Sequence, residues 1–136
     1  MSEKSEGLKI RTEAFAVAVV RYCETLPIRS VATRRIGQQL LDAGTSVAAN
    51  YRAACRAYTT PLFISKLAIV DEECDETEFW FRLIRKTGLH DGAALKALEQ
   101  EAHELASIFS ASLRTARANA CKRRQARRES TRNLPI

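Results

Sequence analysis

The sequence predicts an all-α protein whose helices form an antiparallel up-down-up-down four-helix bundle. Of its 136 residues only 5 are glycine and 3 are proline, whereas 21 are alanine. Sandwiches, barrels and βαβ arrays need many turns, which this composition does not provide. Four segments carry apolar residues at steps of three and four, the period of an amphipathic helix. Because short connections between long helices make neighbours antiparallel, we expect a bundle of this topology.

Pro27 separates the first two predicted helices, which cover about residues 8–26 and 31–57. The residue before a proline is disfavoured in the α conformation, so the first helix ends there. Ser30 is a suitable N-cap for the second helix. The predicted inward positions of the first helix are Leu8, Phe15, Ala18, Val19, Tyr22 and Leu26. Those of the second helix are Ile36, Leu40, Ala43, Val47, Asn50, Ala54 and Ala57.

The third helix is predicted to start at Thr60 as N-cap, with Pro61 in the first helical position, and to end at Gly88. The fourth helix is predicted to start at Asp91 as N-cap and to end before Asn133. Inward positions of the third helix are Phe63, Leu67, Val70, Cys74, Thr77, Phe81 and Ile84. Those of the fourth helix are Leu95, Leu98, Ala102, Leu105, Phe109, Ser112 and Ala116.

Positive charge is concentrated at the carboxyl end of the chain. The chain has 22 Lys and Arg against 16 Asp and Glu, a formal net charge of +6, and eight of the basic residues follow position 113 beside a single acid, Glu129. We therefore divide the chain into a bundle, residues 1–117, and a basic, flexible tail, residues 118–136. Such segregation favours an arm that binds a polyanion, and a merely solvated terminus is the alternative. Arginine, which dominates the tail, suits phosphate contacts.

The sequence gives little indication of a metal, cofactor or disulfide. The four cysteines form no C-x-x-C pair and have no histidines at metal-binding spacing, so we expect reduced thiols in the cytoplasm and no cofactor. Six acids crowd the third helix between Asp71 and Glu78. A di-iron bundle site needs Glu-x-x-His motifs, which are missing. We expect these acids to pair with Arg and Lys of neighbouring helices or subunits.

Small and aromatic residues indicate packing surfaces. Residues 44–46 read Gly-Thr-Ser within the second helix, and small residues there permit close approach of another helix. Asn50 is expected to fix register or oligomeric state, with ligand contact as the alternative. Phe79, Trp80 and Phe81 cannot all face one core, so at least one is expected to be exposed. An oligomer interface is favoured over a base-stacking platform.

The hypothesis that the protein is a ribonuclease depends on one short pattern. Arg85 and His90 fit the Arg-x4-His spacing of some small helical ribonucleases, in which a cation and a general acid–base act on a phosphate. Gly88 interrupts the helix within this pattern. Cationic residues near a helix carboxyl end are also favoured by the helix dipole.

A family resemblance is carried mainly by the second and third helices. Its motifs are Gln-Leu-Leu at 39–41, Gly-Thr-Ser-Val-Ala-Ala-Asn-Tyr-Arg at 44–52, Ala-Cys-Arg-Ala at 54–57, Phe-Ile-Ser-Lys-Leu at 63–67, and Asp-Glu-Glu-Cys-Asp-Glu-Thr at 71–77 before Phe79-Trp80, with Phe15-Ala16 and Leu26-Pro27 in the first helix. These residues resemble the bacterial four-helix bundle protein family. That family includes proteins encoded in intervening sequences of 23S ribosomal RNA genes and is related to the accessory variability proteins of diversity-generating retroelements. Similar sequences often have Glu at position 53 and Ser at position 59, where this chain has Ala53 and Thr59.

The resemblance implies a small antiparallel bundle that assembles as a homopentameric ring with a basic surface. Its retroelement accessory members bind a reverse transcriptase and structured RNA and have no attributed enzymatic activity. We therefore expect a non-enzymatic, homo-oligomeric nucleic-acid-binding scaffold. A protein-interaction module without nucleic acid is the first alternative, and a ribonuclease is a distant second. The expected oligomer interface contains Phe79, Trp80 and Asn50. The expected nucleic-acid-binding residues are Arg114, Arg117, Lys122, Arg123, Arg124, Arg127, Arg128 and Arg132, together with Arg34, Arg35, Arg52 and Arg56.

Overall fold

The protein is all-α, as the sequence predicts. A computed structural model describes residues 2–135, and within that range it contains four helices and no strand. Helix α1 covers Glu3–Thr25, α2 covers Val31–Cys55, α3 covers Thr60–Thr87 and α4 covers Ala93–Arg132. The longest helix, α4, has 40 residues and therefore extends for about 60 Å.

Helix α1 begins five residues earlier than predicted. Ser2 is its N-cap, and the Ser2 hydroxyl accepts a hydrogen bond from the backbone N–H of Ser5 at 3.1 Å. Glu3 and Glu6 lie in the first turn, where negative charge interacts favourably with the helix dipole. Apolar periodicity misses this start because residues 2–7 contain no large apolar side chain.

The caps of α2 and α3 follow local sequence signals, with one correction. Ser30 caps α2 by accepting from the backbone N–H of Thr33 at 3.1 Å, as predicted. The cap of α3 is Thr59, not Thr60, and its hydroxyl accepts from the N–H of Leu62 at 3.2 Å. Serine and threonine are both N-cap residues, so Thr59 performs the capping that serine at this position would perform. Gly88 ends α3 with a left-handed φ of 69°.

The predicted cap of α4 is wrong by one residue. Gly92 occupies the N-cap position at a φ of 133°, and no side chain caps the helix. The Asp91 carboxylate instead accepts a hydrogen bond from the N–H of Gly92 at 2.8 Å. The carboxylate is therefore used in the turn itself, and the positive φ at position 92 is one that glycine adopts without strain.

The core lies along the faces that the sequence pattern predicts. Every predicted inward position is buried or half-buried, and Val19, Leu40, Phe81 and Phe109 are among the side chains with 0% exposure. Asn50 differs from the expectation of a buried, register-fixing amide. Its side chain is half-buried and donates to the carbonyl oxygen of Ser46 at 2.9 Å within α2. The next residue, Tyr51, fills the core at this level and packs against Phe109 with ring centroids 5.0 Å apart.

Each helix packs mainly against the helices next to it in the sequence. Helix α2 contacts α1 and α3, and α3 contacts α4, whereas α1 and α4 share a smaller contact region. Gly44 explains the close approach of α1 to α2, because a Cβ there would lie only 2.8 Å from Val19 Cγ1. The predicted packing role of the small residues at 44–46 is thus confirmed at Gly44. Arg11 links α1 to α4 by ion pairs with Glu101 and Glu104.

Within residues 2–135, none of the helices combines the length and apolar character required to cross a bilayer.

Candidate nucleic-acid interface

The basic end of α4 extends past the start of α3. Glu78 pairs with His103, and Arg85 pairs with Glu99, so residue numbers fall along α4 as they rise along α3. Extending this register places the start of α3 beside about residue 122 of α4. The last turns of α4 therefore project roughly 15 Å past the start of α3. Residues 121–135 are all exposed.

The basic segment is helical as far as Arg132. It was predicted as a flexible tail from residue 118, with the helix ending before Asn133. The helix end agrees with that prediction, and the mobility of the segment stays a prediction. A helix presents side chains three and four positions apart on one side, so the arginines of this segment form ordered rows rather than a random distribution of charge.

One of these rows faces the start of α3 across a groove of about 590 Å³. Arg117, Arg123, Arg124 and Arg127 line its basic side, and Thr60, Pro61, Ile64, Ser65 and Ala120 complete it. No Asp or Glu lines this groove. Among residues 2–135, the ion pairs of the structure include none of these four arginines. The groove therefore presents several positive charges available to an anionic partner.

A larger cleft of about 1270 Å³ adjoins this groove. It lies between the start of α1, the loop from α2 to α3 and the middle of α4, and Arg123 lines both cavities. Its charged lining residues are Lys4, Arg123 and Arg11, of which Arg11 is already paired with Glu101 and Glu104, and no Asp or Glu lines the cleft. The absence of acids along two adjoining cavities makes this end of the bundle suited to a polyanion.

The predicted binding residues of α2 separate into two pairs. Arg52 and Arg56 lie at the carboxyl end of α2, the end from which α4 projects, and both are exposed. Arg34 and Arg35 are exposed in the first turns of α2, about 26 to 33 Å away along the helix axis. The structure therefore gathers Arg52 and Arg56 near the basic segment and leaves Arg34 and Arg35 at the opposite end.

The remaining predicted arginines of α4 occupy other surfaces. Arg128 and Arg132 line a shallow cavity with Arg127 and Thr131 near the end of α4. Lys122 is exposed. Arg114 donates to the Ser110 hydroxyl at 3.1 Å and faces an acidic groove between α3 and α4. Arg114 therefore lies at the acidic groove and not at the arginine-lined groove.

The acidic groove has a volume of about 510 Å³ and is lined by Asp71, Glu72, Asp75 and Glu78 of α3. Partial burial and the neighbouring Asp75 carboxylate raise the pKa of Asp71, although Arg117 and Arg114 act in the opposite direction. Burial and Glu76 likewise raise the pKa of Glu73. Within the described residues, none of the six acids forms an ion pair with Lys or Arg of a neighbouring helix, and Glu78 Oε1 instead lies 2.9 Å from His103 Nδ1. Pairing with Lys or Arg of another subunit stays a prediction.

The aromatic triplet divides between core and surface, as predicted. Phe81 is 0% exposed, whereas Phe79 is 41% exposed. Trp80 is half-buried, and its indole N–H donates to Glu76 Oε1 at 3.2 Å. Phe79 packs edge-to-face on Trp80 with centroids 4.9 Å apart. The exposed side of this pair is available for contact with another subunit, a role that stays a prediction.

Arg85 and His90, the ribonuclease candidates, are each engaged in structural contacts. Arg85 forms a two-point pair with the Glu99 carboxylate at 2.8 and 3.0 Å, and this hydrogen bonding raises the pKa of the guanidinium. His90 Nδ1 lies 3.0 Å from the Tyr22 hydroxyl. Burial raises the pKa of Tyr22 to about 12. The Tyr22–His90 contact links the end of α1 to the turn before α4.

Two of the four thiols, those of Cys23 and Cys74, have raised pKa values. Cys74 is buried, and burial raises its pKa; burial raises the pKa of Cys23 to about 11. Elevated pKa values disfavour the reactive thiolate. Among the residues that the structure describes, no group of three or more His, Cys, Asp or Glu side chains is arranged to hold a metal ion.

Tyr58 is a residue of this region that the sequence reasoning missed. It lies in the loop between α2 and α3, lines the larger cleft and is 90% exposed. A single tyrosine in a short loop carries no periodic signal. Its position between Arg56 and the cap of α3 is the sequence feature that could have indicated a place in the basic region.

Comparison with known proteins gives the chain a family. Residues 6–111 match the family model of the 23S rRNA-intervening sequence protein, which is more than half of the chain. The chain belongs to this family. This membership confirms the resemblance found in the sequence, and it extends the matched region from the first helix into α4. No curated protein matches the chain.

A solved structure of a protein from the S23 ribosomal protein family is similar in fold. It is the crystal structure, at 1.70 Å resolution, of a protein of unknown function from the S23 ribosomal protein family of Bacteroides thetaiotaomicron. The two share 27% sequence identity with a TM-score of 0.71, over 82% of this chain and 98% of that chain. The family match ends at residue 111, so the basic segment from Arg114 onward lies outside the matched residues.

Proposed function

We propose that this 23S rRNA-intervening sequence protein is a non-enzymatic, homo-oligomeric scaffold that binds RNA through the projecting end of α4. The observation that carries the proposal is the acid-free groove in which Arg117, Arg123, Arg124 and Arg127 face the start of α3. Arginine guanidinium groups bind phosphate oxygens through paired N–H donors. Such contacts neutralise the backbone and give little sequence readout.

Oligomerisation is the second part of the proposal. The four helices are proposed to form an antiparallel up-down-up-down bundle, which the falling register of the α3–α4 ion pairs supports. The copies are proposed to assemble as a homopentameric ring, with Phe79, Trp80 and Asn50 at the subunit contact. Exposure of Phe79 at 41% supports this placement. A ring repeats the basic segment of each subunit around one axis. Once one segment has bound an RNA, the others are held at a high effective concentration, so the overall affinity exceeds that of a single contact. A monomer mass from light scattering at micromolar concentration would contradict the ring.

A cytoplasmic location, which rests on the cysteine pattern, and an accessory role beside a reverse transcriptase, which rests on the family resemblance, belong to the same proposal. The non-enzymatic role is supported by the engagement of Arg85 with Glu99 and of His90 with Tyr22. A preparation that cleaves RNA and loses cleavage in the His90→Ala variant would contradict it.

The acidic groove favours a second candidate, a protein-docking module that does not bind nucleic acid. Asp71, Glu72 and Asp75 line this groove and have no Lys or Arg ion-pair partner within residues 2–135. A basic protein partner, or a basic segment of a second copy, would complement such a surface. This candidate predicts that removing charge from the end of α4 leaves the main binding activity intact.

RNA binding measured against salt concentration tests the proposal. Each neutralised phosphate contributes about −0.7 to −0.9 to the slope of log K against log salt. The full chain should give a slope of roughly −4 or steeper. The variant R123Q/R124Q/R127Q should flatten the slope by roughly 2 to 3, since each lost phosphate contact removes about one unit.

The matched control is R29Q/R34Q/R35Q, which removes the same charge from the opposite end of the bundle. All three control residues are exposed, so neither triple variant disturbs the core. The control should keep the slope of the full chain. Equal flattening by both variants would indicate diffuse attraction rather than binding at the end of α4. No RNA binding by the full chain at about 100 mM salt, where non-specific contacts still register, would favour the protein-docking module.

A further inference from the structure

Tyr58 stands out among the exposed apolar side chains of the described residues. Its exposure is 90%, against 79% for Val31 and 69% for Ile28. Burial of an aromatic ring is strongly favourable, so a ring left in solvent contributes almost nothing to the core of its own subunit. A tyrosine in this state is available to a partner.

The loop that carries Tyr58 is held at both ends. At the end of α2, the backbone N–H of Ala57 donates to the carbonyl oxygen of Ala54 at 3.1 Å. At the start of α3, Thr59 caps the helix through its hydroxyl and accepts from the N–H of Phe63 at 3.0 Å through its carbonyl oxygen. These bonds fix the backbone on either side of Tyr58. The backbone that carries the ring is therefore already ordered, which lowers the entropy cost of binding.

The surroundings of Tyr58 favour an anionic partner. Tyr58 lines the cleft of about 1270 Å³ together with Lys4, Asn119 and Arg123. Arg123 also lines the adjoining arginine groove. No Asp or Glu lines either cavity. An aromatic face beside a track of arginines is the arrangement that binds single-stranded nucleic acid, in which bases stack on rings while cations contact the backbone.

We infer that Tyr58 is a stacking platform for an unpaired base, and that this end of the bundle takes single-stranded RNA in preference to duplex RNA. This inference rests on the proposed function and specifies its substrate class. In a duplex the bases are already stacked and paired, and A-form geometry keeps their faces inaccessible. Single strands expose a base face at every nucleotide, and Arg123, which lines the same cleft as Tyr58, is available to a backbone phosphate.

Binding of two RNA probes tests the inference. The probes are a labelled oligouridine, which forms no hairpin, and a blunt RNA duplex of mixed sequence. The full chain should bind the oligouridine more tightly than the duplex. Tyr58→Ala should weaken oligouridine binding roughly tenfold, the effect of losing one stacked base, and leave duplex binding unchanged. The salt slope should not change, because no charge is removed.

Two further variants separate stacking from other effects. Tyr58→Phe keeps the ring and should keep oligouridine binding. Val31→Ala removes exposed apolar surface at the start of α2 and should also keep it. Because Tyr58 is almost fully exposed, its substitution should leave the unfolding midpoint unchanged.

The outcomes distinguish this inference from the proposed function. Unchanged oligouridine binding in Tyr58→Ala, with weakened binding in R123Q/R124Q/R127Q, would overturn the stacking role and leave the RNA-binding function in place. Equal loss on both probes would also overturn the preference for single strands. A lower oligomer mass in Tyr58→Ala, without an effect on RNA, would identify Tyr58 as a subunit contact instead. Failure of the full chain to bind either probe would overturn both proposals.

Discussion

Replacing Gly44 with alanine should destabilise the protein, although alanine is the better helix former. Gly44 is buried within α2. A Cβ at this position would lie 2.8 and 2.9 Å from the two Cγ atoms of Val19 and 3.2 Å from its Cβ. Non-bonded carbon atoms pack at about 3.5 to 4.0 Å. The added methyl group therefore overlaps a neighbouring side chain that is 0% exposed.

Two opposing contributions set the size of the effect. Alanine in place of a helical glycine gains about 1 kcal/mol. Overpacking of a well-filled core costs typically about 1 to 3 kcal/mol. Val19 is β-branched and stiff at χ1, so it cannot rotate away, and the cost falls in the upper part of this range. We expect a net loss of about 1 to 2 kcal/mol in the free energy of unfolding.

Urea unfolding followed by helical circular dichroism measures this loss. All variants are compared at one protein concentration, because self-association shifts apparent stability. Gly37→Ala is the matched control in the same helix. A Cβ at Gly37 meets Leu26 Cδ1 at 3.7 Å, an ordinary contact, so this variant should gain up to about 1 kcal/mol.

The double variant V19A/G44A tests the contact itself. Val19→Ala removes the clashing methyl groups, so the double variant should lose less stability than the sum of its two single variants. If Gly44→Ala were as stable as Gly37→Ala, the close approach of α1 to α2 would not require glycine, and the reasoning would be wrong.

Two further predictions concern α3. Thr59→Ala should cost about 1 kcal/mol by removing the N-cap, whereas Thr60→Ala should be neutral or slightly stabilising, and equal losses in thermal unfolding would contradict the assigned cap. Asp71→Asn should stabilise the protein at neutral pH by less than about 1 kcal/mol, because the charge that it removes is only partly buried and solvent screens it. A carboxyl whose pKa is raised on folding contributes stability while it is protonated and loses it as pH rises through its folded pKa, so the advantage of Asn over Asp71 should disappear below about pH 4. The free energy of unfolding of both forms, measured from acidic to neutral pH, checks this pH dependence. Glu13→Gln, at an exposed position on α1, is the control. A stabilisation by Asn that does not change with pH would contradict the prediction.

Much of the fold could be predicted because helix formation leaves local signals. The steps of three and four in α3, for example, identify Leu67, Val70 and Phe81 as core residues, and all three are buried. Ser30 begins α2 and Gly88 ends α3 as predicted, because capping depends on a few neighbouring residues. The two wrong N-caps are also local errors. Thr60 and Asp91 were predicted, and in each case the residue next to the predicted one occupies the cap position.

The candidate site could be predicted only in part. The sequence identifies the arginines of α4, since charge segregation is a property of composition. It does not separate Arg52 and Arg56 from Arg34 and Arg35, because that division depends on which end of α2 lies beside the projecting segment. Asn50 and Tyr51 show a similar limit. A helical period assigned the core to Asn50, whereas the structure buries Tyr51, because a large aromatic side chain offers more apolar area to bury than an amide.

The sequence by itself determined that this protein has four amphipathic helices, that its positive charge collects at the end of the fourth, and that it resembles the family to which it belongs. Each of these is encoded by residues close together in the chain. Only the tertiary structure decided that α4 extends past the start of α3, that its arginines face the start of α3, and that Tyr58 lines the same cleft as Arg123. The physical reason is register. The level at which one helix packs against another is set by core side chains such as Val19 against Gly44, and those contacts join residues far apart in the sequence.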